Sequence, residues 1–210
     1  VVGGNSSNWT RGAVGGITLN NWHHIVMRLD RSTGSRYTMQ KIFIDGVQSV
    51  GSSNYFGGTI PNGTTLGVVA NDNYSHPAWF QPTSGNINEL AIWGSNALTD
   101  AQILEVYNSG SANDLTALPT APSPTNWYRS ENASWLGGAY YETSDEMGNG
   151  GKLNTRNMAQ ASRVNDVPPT FNIFSTLFDG IDDAVSMGNV LNLADDGTDA
   201  YSFSLWFKTT

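Results

Sequence analysis

Cleaving a glycosidic bond takes two carboxylates facing each other across the sugar, so the acidic residues are read first. The glutamates of this chain are Glu89, Glu105, Glu131, Glu142 and Glu146, and the closest grouping is Glu142-Thr-Ser-Asp145-Glu146. In an extended strand Glu142 and Glu146 share a face while Asp145 points away, an order that does not set up an acid and a nucleophile. His23 and His24 are neighbours, so a strand sends them to opposite faces. They cannot grip one metal together, no Ser or Asp partner stands at a telling spacing, and a structural role is expected.

A cation site is better founded. Asp179-Gly-Ile-Asp182-Asp183 gathers three carboxylates in one short turn, and hard cations such as calcium take several carboxylate and carbonyl oxygens. The plainer alternative is that Asp179-Gly180 is only a turn, with Asp182 and Asp183 solvated. A second acidic loop, Asp195-Asp196-Gly197-Thr198-Asp199, reads as a turn.

Sugars have an apolar face and a polar rim, so exposed aromatic rings beside Asn and Asp suit them. Loop 71–80 offers Asn71, Asp72, Asn73, Tyr74, His76, Trp79 and Phe80, with Tyr55 and Asn54 as a lesser pair. The carbohydrate-binding set is Trp79, Tyr74, His76, Asn71 and Asp72, and for Trp79 burial is an equal alternative. Trp22, Trp93, Trp127 and Trp206 fall in strand patterns and are expected to be packing anchors.

The elements that must hold these residues are mostly strands. In 22–30, Trp22, His24, Val26 and Arg28 share one face, and His23, Ile25, Met27 and Leu29 share the more apolar one, which is expected to face inward. Segment 37–45 alternates again, and Asp45-Gly46 before Val47 is a hairpin signal. Strands are expected at 47–50, 66–70 and 87–93. Thr99-Asp-Ala-Gln102 fits a capping box, Ile103, Val106 and Tyr107 form one stripe, and Gly110 suits a left-handed helix end. In the last segment Phe203, Leu205 and Phe207 oppose Ser204, Trp206 and Lys208, one face in and one out. Pro119, Pro122 and Pro124 make 111–125 a Pro-rich linker, since proline cannot donate to a sheet ladder.

Composition agrees. With 210 residues there is room for one large or two small domains. Gly 23, Pro 8, aromatics at 11% and charged residues at only 13% suit strands joined by tight turns. A net charge of −8 with 10 scattered basic residues argues against nucleic acid, which needs clustered Lys and Arg. No apolar run is long enough to span a bilayer. Cysteine is absent, which excludes disulfides and thiolate metal sites and fits a viral or bacterial product. The start Val1-Val2-Gly3-Gly4 is expected to belong to a processed or longer chain.

Taken in order, the motifs resemble a laminin-G-like, pentraxin-like domain of the concanavalin A-like lectin/glucanase superfamily. Trp127, the loop 145–150 (Asp-Glu-Met-Gly-Asn-Gly), Phe178-Asp-Gly-Ile-Asp-Asp183 and Phe203-Ser-Leu-Trp-Phe207 are similar to the first half of such a domain. The Trp-His strand at 22–23, Phe43-Ile-Asp-Gly46, Gly85-Asn-Ile-Asn-Glu89 and the helix after Thr99 resemble its second half. The resemblance implies an all-β fold, an antiparallel concanavalin A-like jelly-roll sandwich with one short helix. It also implies that residues 1–110 are the C-terminal part of one domain and 126–210 the N-terminal part of a second, a window on a tandem array. Either 126–210 packs on 1–110 as a permuted sandwich, or each piece is completed by residues elsewhere.

The resemblance carries a calcium near the Asp179, Asp182 and Asp183 turn. Its partner Asp in the Gly-x-Ile-Asp-Glu strand is Asn88 here, which completes the metal set named for this chain. The superfamily's glucanases use Glu-x-Asp-x-Glu, which is missing. The expected function is therefore a non-catalytic structural or adhesion module of a virion or cell-surface fibre, in the style of bacteriophage structural proteins, with glycan binding as an added capacity. The alternative is the carbohydrate-binding accessory module of an extracellular glycoside hydrolase. Expected partners are glycans or neighbouring structural subunits in a larger assembly.

Overall fold

A computed structural model describes residues 2–3, 9–10, 16–30, 40–49, 67–68, 84–169, 172–187 and 200–210. Strands β1 (Val2–Gly3) and β2 (Trp9–Thr10) form a separate antiparallel pair. Then come β3 (Trp22–Leu29), β4 (Gln40–Ile44), β5 (Val47–Gln48), β6 (Gly67–Val68), β7 (Ser84–Gly94) and helix α1 (Asp100–Tyr107). The second part supplies β8 (Asn126–Gly137), β9 (Tyr140–Asp145), β10 (Lys152–Arg156), β11 (Arg163–Val164), β12 (Ser175–Asp179), β13 (Ala184–Ser186) and β14 (Tyr201–Thr209).

The pairing runs β5-β4-β3-β14-β7 and continues β8-β9-β10-β13-β6, all antiparallel. β14 lies between β3 and β7, bonded to both along nearly its whole length. Strands from 126–210 thus enter the same sheet as strands from 1–110. The other edge of β7 is shared, with residues 84–87 pairing with β12 and residues 90–92 with β8. β8 turns the corner into the second layer. Its residues 126–128 pair with β7, residues 133–137 pair with β9, and residues 129–132 fall out of register between them. The result is the concanavalin A-like jelly-roll sandwich.

Between the layers lies a core of Ile87, Leu90, Ile92, Tyr128, Tyr141, Leu153, Phe178, Val185 and Leu205, flanked by Ile25, Phe203 and Phe207. A bulge in β7 makes that alignment work. Glu89 has φ +55 and the register to β14 slips by one residue there, so Ile87 and Leu90 both face inward despite their odd spacing.

The opposite face of β3, β14 and β7 is not solvated, which corrects the one-face-in reading of both sequence segments. Val26, Ala91, Trp93 and Trp127 pack under α1 and residues 115–121 in a second apolar cluster, and Ser202, Ser204 and Trp206 are buried. Arg28 is buried too; its guanidinium donates to the Leu98 carbonyl at 2.8 Å and to Asp100 at 2.6 Å, fixing the start of α1 on the sheet. The capping box at Thr99 and Gln102 is present. Asn108 rather than Gly110 takes the left-handed cap, at φ +48.

The Pro-rich segment 111–125 is a packed strap and not an extended spacer. Leu115 and Ala121 are buried against the sheet, Trp93 Nε1 donates to the Pro122 carbonyl at 2.7 Å, and Glu105 of α1 accepts the Thr120 and Ala121 amides at 2.9 Å. Proline removes a donor but leaves its carbonyl, and here a buried indole uses it. The Asp45-Gly46 hairpin forms as expected, with φ of +51 and +75. A Cβ at Gly46 would come within 2.6 Å of the Leu104 side-chain tip, which is exposed and can move aside, so it is the positive φ that calls for glycine here. In the 47–50 and 66–70 segments, 47–48 and 67–68 pair as strand, and residues 50, 66, 69 and 70 lie outside the described residues.

Because the strap closes the second core, Leu115→Ala is expected to lower the stability of the whole chain by about 2–5 kcal/mol. In urea, tryptophan fluorescence and far-UV circular dichroism should move together in one earlier transition. Two separate transitions would show that the strap does not bind the layers into one unit.

Candidate functional site

The carboxylates of the predicted cation turn are brought together. β12 ends at Asp179, and residues 180–183 turn the chain into β13. Gly180 sits at φ +78 where a Cβ would press to 3.2 Å on Ser84, so this close turn requires glycine. Asp179 Oδ1 accepts the Ile181 amide at 2.8 Å, Asp183 Oδ2 accepts the Asp179 amide at 2.8 Å, and Asn157 Nδ2 donates to the Asp182 carbonyl at 3.0 Å. One oxygen from each of Asp179, Asp182 and Asp183 lies within 4.8 Å of the others, the one such acidic group among the described residues. Burial holds the Asp183 carboxyl above its usual range, and the charges of Asp179 and Asp182 add to this against the amide bond. Three hard oxygen donors repelling one another fit a divalent cation by the chemistry of the set.

Asn88 does not belong to that group, which corrects the metal set. It is buried in β7, donates to the Phe174 carbonyl at 2.8 Å and accepts the Ser130 amide at 3.1 Å. Asp179 pairs with Ser84, four positions up the strand from Asn88, or roughly 13 Å at strand rise. The amide joins β7 to its two neighbours.

Several features share the sandwich end that carries the turn. The β8–β9 hairpin tip lies there, because the Ala139 carbonyl accepts the Met158 amide and Asn157 bonds Asp182. It exposes Leu136 (62%) and Tyr140 (48%), with Ile181 (66%) in the acidic turn itself. Val68 pairs with Val185 and Ser84 pairs with Asp179. The proposed sugar set of Asn71, Asp72, Tyr74, His76 and Trp79, with Asn73 and Phe80, lies outside the described residues, as do Asn54 and Tyr55.

Other acids among the described residues are engaged. Asp145 accepts the Trp127 amide and the Asn126 side chain at 2.8 Å, and the Met147 and Asn149 amides at 3.1 Å. Glu142 pairs with Lys152 at 2.6 Å, while Glu146 accepts from Asn132 and lies 3.7 Å from Arg129. Of the two histidines, His23 Nδ1 meets Asp45 at 2.6 Å while its Nε2 accepts the Thr18 amide at 3.0 Å, so the neutral ring carries its proton on Nδ1. His24 is buried beside Trp206, with ring centroids 5.2 Å apart, and burial pushes it down to about 4.

One buried acid went unforeseen. Glu89, only 3% exposed, accepts from Trp127 Nε1 at 2.6 Å and from Arg129 Nε at 3.0 Å. Burial pushes it up to about 7, with Arg129 the main opposing influence. The available signal was a lone charge inside the otherwise uncharged run 84–94.

Residues 1–104 match the family model described as the concanavalin A-like lectin/glucanases superfamily. No curated protein and no solved structure matches the chain. The family match supports that superfamily for this part of the chain and, in general terms, a carbohydrate-binding or adhesion module. No helix among the described residues is long and apolar enough to cross a membrane.

The raised Glu89 pKa makes stability depend on pH. A group whose folded value exceeds its unfolded value of 4.5 contributes stability that is present below pH 4.5 and lost as pH rises through about 7. Urea midpoints should therefore fall between pH 5 and pH 8 more steeply for the unchanged chain than for Glu89→Gln, which keeps an acceptor for Trp127. Equal slopes would show that Glu89 does not titrate in that window.

Proposed function

We propose that this chain is a non-catalytic structural or adhesion module of a virion or cell-surface fibre, and that it binds glycans, with calcium, at the sandwich end bearing the acidic turn. The observation that carries this is the position of Val68 and Ser84, which flank 69–83 in sequence and pair beside Asp179–Asp183. In sequence, Trp79, Tyr74, His76, Asn71 and Asp72 fall between these two flanking residues. Tyr140 offers a further ring at the same end. Calcium would be held by Asp179, Asp182 and Asp183, and it would supply a fixed positive charge that draws sugar hydroxyl oxygens.

A non-catalytic role is supported by the engagement of Glu142, Asp145 and Glu146 with cations and amides, so that none of these three stands free as an acid or nucleophile across a groove. The entry of strands from 126–210 into the sheet of 1–110 suits a larger assembly whose consecutive units complete each other. Neighbouring structural subunits are the second class of partner.

Glycan-array binding of the whole chain should require calcium and weaken at least tenfold, about 1.4 kcal/mol, in Trp79→Ala. The double variant Asp179→Asn, Asp182→Asn should lose calcium affinity by a similar factor in calorimetry. Protons compete at the raised Asp183 carboxyl, so calcium binding should weaken as pH falls. Binding indifferent to chelator and to both variants would remove the proposal.

A further inference from the structure

At the corner where β8 leaves β7, between the two sheets, lies a cavity of about 30 Å³, taken as the space open to water centres. Leu153 and Phe178 give it apolar walls, and Tyr128, Ser130, Thr143 and Thr176 bring hydroxyl-bearing side chains to it. Tyr128 is only 2% exposed, and its hydroxyl has no hydrogen-bond partner among the described residues. Burial pushes that phenol up to about 12, with Asp145 adding to it, so it remains an O–H donor at ordinary pH. Ser130 Oγ and Thr176 Oγ1 lie 3.0 Å apart. A single bond between two hydroxyls uses one hydrogen, so the pair has a second O–H to place.

Size decides the kind of ligand. About 10–15 Å³ of such space holds one water, and a buried water needs two to four polar partners. The cavity therefore suits roughly two waters and is far below the several hundred Å³ of a small-molecule pocket. An orphaned buried hydroxyl is costly, while a purely apolar cavity of this kind would stay dry.

We propose that the corner cavity is an internal hydration site for about two water molecules, one bonded to the Tyr128 hydroxyl and one to the Ser130–Thr176 pair. These waters bridge β8 to β12, and through Thr143 to β9, where residues 129–132 have left the β-ladder. The backbone groups that have left the ladder there are met by Asn88 and Arg163, and the waters serve the side-chain hydroxyls.

The test is a crystal structure of the whole chain that resolves ordered water, with a second crystal under xenon. The unchanged chain should show water within hydrogen-bond distance of Tyr128 Oη and no xenon in the cavity. Tyr128→Phe should lose that water. In solution, water relaxation dispersion should report at least one long-lived internal water that Tyr128→Phe removes. A dry cavity that takes up xenon, or a Tyr128 hydroxyl turned to a protein acceptor, would overturn the proposal. The water and xenon results on the unchanged chain decide the matter even if the variant does not fold.

Discussion

The insertion of β14 between β3 and β7 is the constraint on which the rest of the structure depends. A central strand must satisfy amides and carbonyls on both sides, and these residues do so with partners far away in sequence. Once β14 is in place its side chains are divided by the two-residue period. Phe203, Leu205 and Phe207 go to the inter-sheet core. Ser202, Ser204 and Trp206 go to the other face, where the Ser202 hydroxyl accepts the Leu98 amide at 2.8 Å. That face then needs its own cover, and α1 with the 111–125 strap provides it.

The corner at β7 and β8 is where order and charge are traded. A bulge at Glu89 realigns the inward face of β7 but buries a carboxylate, and breaking a buried pair leaves an uncompensated charge. Trp127 and Arg129, both from the start of β8, meet it from the neighbouring strand. Asp145 holds the same stretch through the Trp127 amide. Glu89 and Asp145 thus both join β8 to its neighbours. The acidic turn differs, because its three carboxylates gather together instead of finding cations of their own.

Local signals in the sequence were legible where local physics governs. The Asp45-Gly46 hairpin and the capping box at Thr99 appear where turn chemistry places them, and β14 keeps its two-residue alternation. Solvation of a strand face was not legible, since serine and histidine in alternation look polar whether or not something covers them. His24, Ser202 and Ser204 are buried, because that face of the sheet is covered. The strap was misread because proline says where a sheet cannot continue and nothing about what the chain then packs on. The trio of Asp179, Asp182 and Asp183 was readable from spacing. Asn88 was placed with it through a family pattern, and the register of β7 separates them. The Glu89 bulge depends on pairing with β14, which no local window reports.

Strand β14 within the same chain's sheet is also what makes one module out of two sequence pieces. The chain has no cysteine, so a pair of introduced thiols is a clean probe. Val26 and Ser204 are directly opposite across β3 and β14, at a separation that a disulfide spans. In the double variant Val26→Cys, Ser204→Cys, mild oxidation should give a cross-linked monomer that migrates faster on a non-reducing gel. Thiols that stay reduced, or cross-links found only between chains, would contradict the arrangement.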